Sequence, residues 1–357
     1  MNNTVRLWVR HETRSTERRT PVTPDDARRL VGAGLDVTIE ESPQRTFPLR
    51  EYLDAGCTGA PAGSWPDAPP DTVVVGLKEL PDQPAVLTHR HVYFGHAYKG
   101  QRGAPELLRR FSAGSGALLD LEYLVDDDGR RLAAFGYWAG YLGAALGVLH
   151  LAGELDVPLA PLRRSDLDER LRRSTKTGEP PRALVIGALG RCGRGARSAL
   201  AVAGITPTCW DMAETANLDR ATLLDHDLLV NTVLSTGPVE PFLTVADIDR
   251  PDRRLALVVD VTCDVGSPYN TLPIYDRTST WDHPAIRLRT AEPVLDVIAV
   301  DNLPSLLPHE ASVAFSADLL PHLLSLADPT AATWRRCERV YREACRTYGI
   351  GVEEVDG

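Results

Sequence analysis

Lysine is nearly missing from this chain: of 39 basic residues only three are lysine, Lys78, Lys99 and Lys176. Arginine fills almost every generic cationic position, and it keeps its proton at working pH. A lysine pressed by burial or by cationic neighbours can release its proton. Lys176 sits in the polar loop RRSTKTGEPPR and needs no special account, whereas Lys78 and Lys99 lie in motif-like stretches. Positive charge is short overall: the formal charge of −10 argues against nucleic acid and an anionic membrane surface as partners. No run of 18 apolar residues exists, so no membrane span is expected. The start, MNNTVRLWVRHETR, lacks the charged-then-apolar layout of a signal peptide, and the expected compartment is the cytoplasm. The six cysteines (Cys57, Cys192, Cys209, Cys263, Cys337 and Cys345) form no C-x-x-C pair, and no histidine stands at metal spacing. Reduced thiols and no metal site are expected.

What is there is a globular composition, 43% apolar and 25% charged, over 357 residues, enough for two domains with separate cores. The organising stretch is RALVIGALGRCGRGARSALAVAGITPTCWD, residues 182–211. Ala183 to Ile186 is apolar without alternation, as in a parallel strand buried on both faces. Gly187, Gly190 and Gly193 follow at once, and from Ala196 the pattern turns helical. Strand, glycine turn and helix together make a dinucleotide site. Gly187 permits the tight turn, Gly190 lets the backbone approach a pyrophosphate, and Gly193 lets the helix pack on the strand. The spacing is G-x-x-G-x-x-G rather than G-x-G-x-x-G. It is strengthened by the next strand, Thr206 to Trp210, which ends in Asp211. A carboxylate there bonds the adenosine ribose hydroxyls and repels a 2′-phosphate, which favours NAD over NADP. The competing reading is an ordinary buried strand–helix turn with a solvated Asp211. Leu189, Arg191 and Cys192 share the turn, and Thr232, Val233 and Val261 end the strands 228–233 and 255–261; all six join the cofactor-lining set.

The N-terminal part reads as a second parallel α/β layer. Residues 5–10 alternate as a strand, and Thr23-Pro24-Asp25-Asp26 opens a helix with Thr23 as N-cap and Pro24 at its first position. A strand from Asp36 to Ile39 completes a βαβ unit. Further buried strands, Thr72–Leu77, His91–His96 and Ala117–Leu121, run into Lys78-Glu79, Ala97-Tyr98-Lys99 and Glu122-Tyr123. Ligands of open parallel sheets bind beyond the carboxyl ends of strands. Lys78, Glu79, His96, Lys99 and Glu122 should therefore converge on one cleft. Arg131 to Leu151 is a long apolar helix whose stripe of Gly136, Gly140, Ala144 and Gly147 suits close packing between domains. Residues 156–181 read as a Pro-, Arg- and Ser-rich approach to the glycine-turn strand. Pro304, Pro308 and Pro321 predict a broken helix over 301–326 returning toward the first domain, and Thr333 to Tyr348 is an amphipathic helix.

These stretches carry a resemblance. RHETRSTERRTPVTP (10–24), ESPQRTF (41–47), PAGSW (61–65), GLKEL (76–80), GHAYKGQ (95–101), LEYL (121–124), GRRLAAFGYWAG (129–140), VIGALGRCGRGA (185–196) and DNLPSLLPHEAS (301–312) stand in the order found in NAD-dependent, lysine-forming saccharopine dehydrogenases. The early E-T-x-x-x-E-x-R pattern is shared more loosely with alanine dehydrogenase and transhydrogenase, while GLKEL and LPSLLP tip the balance. The resemblance implies oxidation of a secondary amine with NAD and hydrolysis of the imine to lysine and 2-oxoglutarate. In that chemistry Lys78 resembles the family's base and His96 its second acid/base group. Arg19, Lys99 and Arg131 are by motif position the anchors for substrate carboxylates. Glu79 and Glu122 would meet the substrate's ammonium groups and tune Lys78 and His96, and Asp301 would sit by the nicotinamide. The plainer alternatives are a solvated strand-end Lys78, a hydrogen-bonded core His96, and carboxylates merely paired with Arg19 or Arg131. Arg14, Gly100, Asn302 and His309 depart from the residues usual in the family, which leaves the chemistry intact and the amino-acid partner open.

The expected fold is α/β, two Rossmann-like parallel-sheet domains with the active-site cleft between them. Residues 1–132, completed by 315–357, form the substrate domain, and 133–314 hold the dinucleotide. The partners are small molecules, an amino acid and a 2-oxo acid. Rival readings are a sibling opine-type dehydrogenase joining a different amino acid, an alanine dehydrogenase, and a non-catalytic NAD-binding regulator.

Overall fold

The computed structural model describes residues 4–176, 179–235 and 237–351. Residues 352–357 of the C-terminal segment, and 177–178 of the approach to the glycine turn, lie outside the described residues. Two compact units form, one from Met1–Ala134 with Pro308–Gly357 and one from Phe135–Leu307. The first opens with β1 (Arg6–Val9), α1 (Pro24–Gly32), β2 (Asp36–Glu40), α2 (Leu49–Asp54), β3 (Thr58–Ala60), β4 (Val73–Val75), β5 (Arg90–Tyr93), α3 (Ala104–Ala113) and β6 (Ala117–Asp120). The second contains α4 (Gly136–Leu151), α5 (Arg164–Ser174), β7 (Ala183–Ile186), α6 (Arg191–Val202), β8 (Thr208–Trp210), α7 (Met212–Thr215), α8 (Arg220–Leu224), β9 (Leu228–Asn231), α9 (Val245–Ile248), β10 (Leu257–Asp260), β11 (Ile286–Arg289) and β12 (Leu295–Ile298). The chain then re-enters the first unit with α10 (Pro308–Leu324) and α11 (Ala332–Thr347).

Among the described residues the first unit's sheet is parallel, in the order β3-β2-β1-β4-β5-β6. The order reverses between β1 and β4, where ligands of such sheets bind. The second sheet runs β11-β12-β10-β9-β7-β8, parallel except for the antiparallel edge strand β11, and it reverses between β7 and β9. This is the α/β architecture expected from unbroken apolar runs: β4, β7, β9 and β10 are buried along their whole length, as strands covered on both faces must be.

Local chemistry explains where the elements begin. Thr23 caps α1 by accepting the Asp26 N–H at 3.4 Å, and Pro24 opens the helix where no amide partner is needed. The returning α10 is stitched to this cap. Ser312 Oγ accepts the Thr20 N–H at 2.9 Å, Ser316 Oγ accepts the Thr23 N–H at 3.0 Å, and the Ser316 hydroxyl donates to Asp26 at 2.5 Å. The amphipathic α11 covers β6, with the Tyr341 hydroxyl donating to the Gly116 carbonyl at 3.2 Å.

Several local expectations are corrected. The apolar helix starts at Gly136, because Arg131 is drawn into an antiparallel bridge with Val125. Its glycine stripe packs inside the second unit rather than between domains. A Cβ at Gly140 would fall 1.8 Å from the Cys192 carbonyl oxygen, and one at Gly147 would fall 3.0 Å from Val259. The approach 156–181 contains α5, whose few apolar residues conceal it in the sequence. Pro321 does not break α10: it falls in the last turn, where burial of Leu319, Leu320 and Leu323 outweighs one lost amide bond.

Candidate active site

The first unit gathers ionisable side chains past the ends of β4, β5 and β6. Glu122, in the turn after β6, is the hub. Its carboxylate lies 3.6 Å from His96 Nδ1, 3.3 Å from Lys99 Nζ and 3.7 Å from Arg131. The Glu122 side chain is 12% exposed, while those of His96, Lys99 and Arg131 are 56%, 54% and 40% exposed. The His96 ring and the two cations therefore face solvent over a carboxylate that does not. Lys99 also lies 5.8 Å from the centre of the Tyr123 ring. His96 has a left-handed backbone, with φ 48°, which turns the chain sharply after β5 and is uncommon outside glycine. Its pKa is pressed below the ordinary value, first by desolvation and then by Lys78 and Arg131, against the opposing pull of Glu122 and Glu79. The ring is thus biased toward its neutral, proton-accepting form.

Lys78 stands in the same field, since its charge lowers the carboxyl pKa values of both Glu17 and Glu79. Arg19 grips Glu17, with Nε to Oε1 at 2.8 Å and Nη2 to Oε2 at 2.6 Å, both side chains buried. Burial would raise the Glu17 carboxyl, but Arg19 and then Lys78 outweigh it and hold the group at about 2. Glu79 pairs with Arg14. The pairing alternative therefore holds for Glu122 with Arg131, whereas Arg19 turns to Glu17 and Glu79 to Arg14.

Three side chains in this cluster were given no role from the sequence. Glu17 and Arg14 sit in the same run as Arg19 and stood out there only as a motif position and as a departure from the family. Asp120 ends β6 and accepts the Glu122 N–H at 2.9 Å while wholly buried. Burial raises its carboxyl to about 7, with the Glu122 charge adding to the rise and backbone donors, including Gly95 and His96, opposing it.

The second unit builds a dinucleotide cradle at its own switch point. Gly187 has φ 81°, and a Cβ there would strike Thr232 Oγ1 at 2.6 Å and Val233 at 2.8 Å. A Cβ at Gly193 would fall 2.1 Å from the Gly187 carbonyl, so only glycine lets α6 start this close to β7. At Gly190 the space is open apart from that carbonyl at 3.3 Å. Glycine stands at the N-cap of α6, so the cap residue brings no side chain between the helix start and a pyrophosphate, which the helix dipole would favour beside Arg191 and the half-buried Cys192. Asp211 accepts the Leu189 N–H at 2.9 Å and the Met212 N–H at 3.0 Å, which fixes the carboxylate beside the turn. Leu189 and Met212, 67% and 83% exposed, offer apolar surface on either side of it. Met212 went unread because a lone exposed methionine has no local pattern. The Thr232 hydroxyl donates to the Ile186 carbonyl at 2.8 Å, and the Val261 N–H donates to Asn231 at 3.0 Å, tying together the ends of β7, β9 and β10. Asp301 follows β12 and is exposed, close enough to Cys263 to add to the rise that burial and Asp260 impose on that thiol. The donor set fits a dinucleotide: the start of a helix for phosphates and a fixed carboxylate for a ribose diol.

Two parallel-sheet units, one with this cradle and one with clustered cations and carboxylates, define a dehydrogenase of the alanine dehydrogenase/PNT class. The model of the "Alanine dehydrogenase/PNT, N-terminal domain" family matches residues 8–142, and that of the C-terminal domain matches residues 167–351. Among solved structures, an L-alanine dehydrogenase shares the fold with TM-score 0.67 at 16% identity, over 95% of this chain and 94% of that one. Sequence relatives are more specific. "Saccharopine dehydrogenase [NAD(+), L-lysine-forming]" of Schizosaccharomyces pombe is 42% identical over 94% of this chain and 97% of the relative. The protein of the same name from Yarrowia lipolytica is 40% identical over 96% and 98%. The chain belongs to the saccharopine dehydrogenase family. Among the described residues no helix is long and apolar enough to cross a membrane.

Proposed function

We propose that the protein is an NAD-dependent oxidoreductase that cleaves saccharopine to L-lysine and 2-oxoglutarate, a reaction reversible as reductive condensation through an imine. The substrate domain is residues 1–132 with 315–357, and the dinucleotide domain is residues 133–314. NAD, when bound, accepts the hydride from the carbon attached to the secondary amine. Gly187, Gly190, Arg191 and Cys192 would hold its pyrophosphate and Leu189 and Asp211 its adenosine, while Thr232, Val233 and Val261 would line the rest of the cofactor site and Asp301 would stand by the nicotinamide.

Lys78 takes the proton of the secondary amine, so that the nitrogen lone pair forms the C=N bond as hydride leaves carbon. His96 then accepts a proton from the water that adds to the imine carbon. The proton returns to nitrogen as the carbinolamine opens, the C–N bond breaks, and the carbonyl of 2-oxoglutarate forms. Lys99 and Arg131, half-exposed, meet substrate carboxylates, with Arg19 the buried member of the cationic set. Glu79 and Glu122 face ammonium groups and moderate the two proton carriers.

The observation that carries the reading is the placing of His96, Lys99 and Arg131 around one shielded carboxylate, within the field of Lys78. The test is NADH consumption with 2-oxoglutarate and a panel of lysine, ornithine, arginine, glutamate and alanine. Lysine should win clearly. Turnover with another amine alone would move the substrate to a sibling opine-type reaction. Lys78→Met and His96→Gln should each cut kcat, and no loss from either would favour a regulator over an enzyme.

A further inference from the structure

Beyond β4 the chain leaves the sheet ladder, and the amides of Leu77 and Lys78 need other partners. Glu12 supplies both: its carboxylate accepts the Leu77 N–H at 2.7 Å and the Lys78 N–H at 3.0 Å. Arg10 donates to the carbonyl of the same Lys78 and lies 3.4 Å from Glu12. One buried ion pair thus holds the Lys78 residue at its N–H and at its C=O. Arg10 and Glu12 are 1% and 4% exposed.

The space is built around this grip. A Cβ at Gly76 would fall 2.3 Å from Arg10 Nε, so glycine is what admits the guanidinium. Arg10 lies 5.6 Å from the centre of the Tyr93 ring, and its Nε has no hydrogen-bond partner among the described residues. Arg45 donates to the Arg10 carbonyl at 3.3 Å and anchors the segment from the other side. A buried pair with an unsatisfied nitrogen is a poor device for stability, because well-packed apolar residues do as well without the desolvation cost. What apolar residues cannot do is fix the orientation of one peptide from both sides.

We propose that Arg10 and Glu12 are positioning residues for Lys78: they lock its backbone so that the side chain leaves the strand end in a single direction. The inference rests on the reading of Lys78 as the proton acceptor. A base displaced by about 1 Å loses on the order of a hundredfold in rate, so release of the peptide should act on kcat more than on KM.

The test is a cycle of four proteins: wild type, Glu12→Gln, Lys78→Met and the double variant. Glu12→Gln should lower kcat by about 10- to 100-fold with little change in KM. In the Lys78→Met background it should change the residual rate by less than about threefold, because the group it serves is gone. An equal loss in both backgrounds overturns the proposal. Should Lys78→Met alone leave kcat unchanged, the reading of the site falls, and the proposal with it.

Two further measurements stand if Glu12→Gln does not fold. Gly76→Ala, which drives a methyl group into Arg10, and Arg10→Lys, which removes the fork, should show the same dependence on background. Because lysine is so scarce, the three side chains Lys78, Lys99 and Lys176 can be followed by 13C-dimethyl labelling and NMR. In Gly76→Ala the Lys78 signal and its titration should shift while that of Lys176 does not. Unmoved Lys78 signals overturn the proposal independently of turnover.

Discussion

Gly140→Ala should destabilise the second unit and loosen the dinucleotide turn together. A Cβ at Gly140 falls 1.8 Å from the Cys192 carbonyl oxygen, and one at Gly195 falls 1.9 Å from the Tyr137 carbonyl, so α4 and α6 touch backbone to backbone. Carbon and oxygen prefer about 3.3 Å or more. A single methyl group must therefore push the helices apart by about 1.5 Å, or bend one of them. A gap of that size forfeits more than half of each dispersion contact along the seam, and overpacking of a tight core costs about 1–3 kcal/mol. At about 2–4 °C per kcal/mol for a unit of this size, the melting transition should fall by roughly 2–12 °C. Cys192 is in the first turn of α6, so NADH affinity, read by fluorescence titration, should fall with it. Gly32→Ala is the control: nothing lies within 4 Å of the added Cβ and the residue is helical. It should leave the melt unchanged or raise it slightly. A Gly140→Ala protein that melts within about 2 °C of wild type would refute the claim that this glycine exists for contact between the helices.

Further expectations concern charge. Glu122→Gln removes a group that raises the His96 pKa against its burial. The limb of the pH–kcat/KM profile that reports deprotonation of His96 should therefore move to lower pH, and an unmoved limb would detach that limb from His96. Asp120 is raised to about 7 by burial, so between about pH 4 and 7 the folded chain keeps a proton that the unfolded chain has released. Stability relative to Asp120→Asn should fall by up to about 1.4 kcal/mol per pH unit as pH rises through that window. Urea midpoints at several pH values test this, and a constant difference between the two proteins would exclude it. Asp211→Asn keeps an acceptor for the Leu189 N–H but gives up the charge proposed to meet a ribose diol. NADH should bind about 10- to 100-fold more weakly, with a smaller penalty for NADPH. Equal losses for both cofactors would contradict the role given to Asp211.

Much of this was legible in the residues themselves. The glycine turn declares itself because backbone constraints are local: a left-handed Gly187 and a close-packed Gly193 must stand at set distances from an apolar strand. Thr23-Pro24 likewise marks the start of α1 through capping chemistry that needs no distant partner. The ends of parallel strands could be counted, and with them the residues past β4, β5 and β6. Partners could not be counted. Charge has no register, so nothing in the order of residues says that Arg19 turns to Glu17, that Glu79 turns to Arg14, or that Glu122 gathers Lys99, Arg131 and the His96 ring. The glycine stripe of α4 announced a close approach without naming the surface, which proved to be α6 and the sheet of its own unit. Periodicity and capping act over a few residues and so belong to the sequence. The pairing of buried charges depends on which segments, tens of residues apart, the tertiary structure brings within a few ångströms of each other, as it does Glu12 and Lys78.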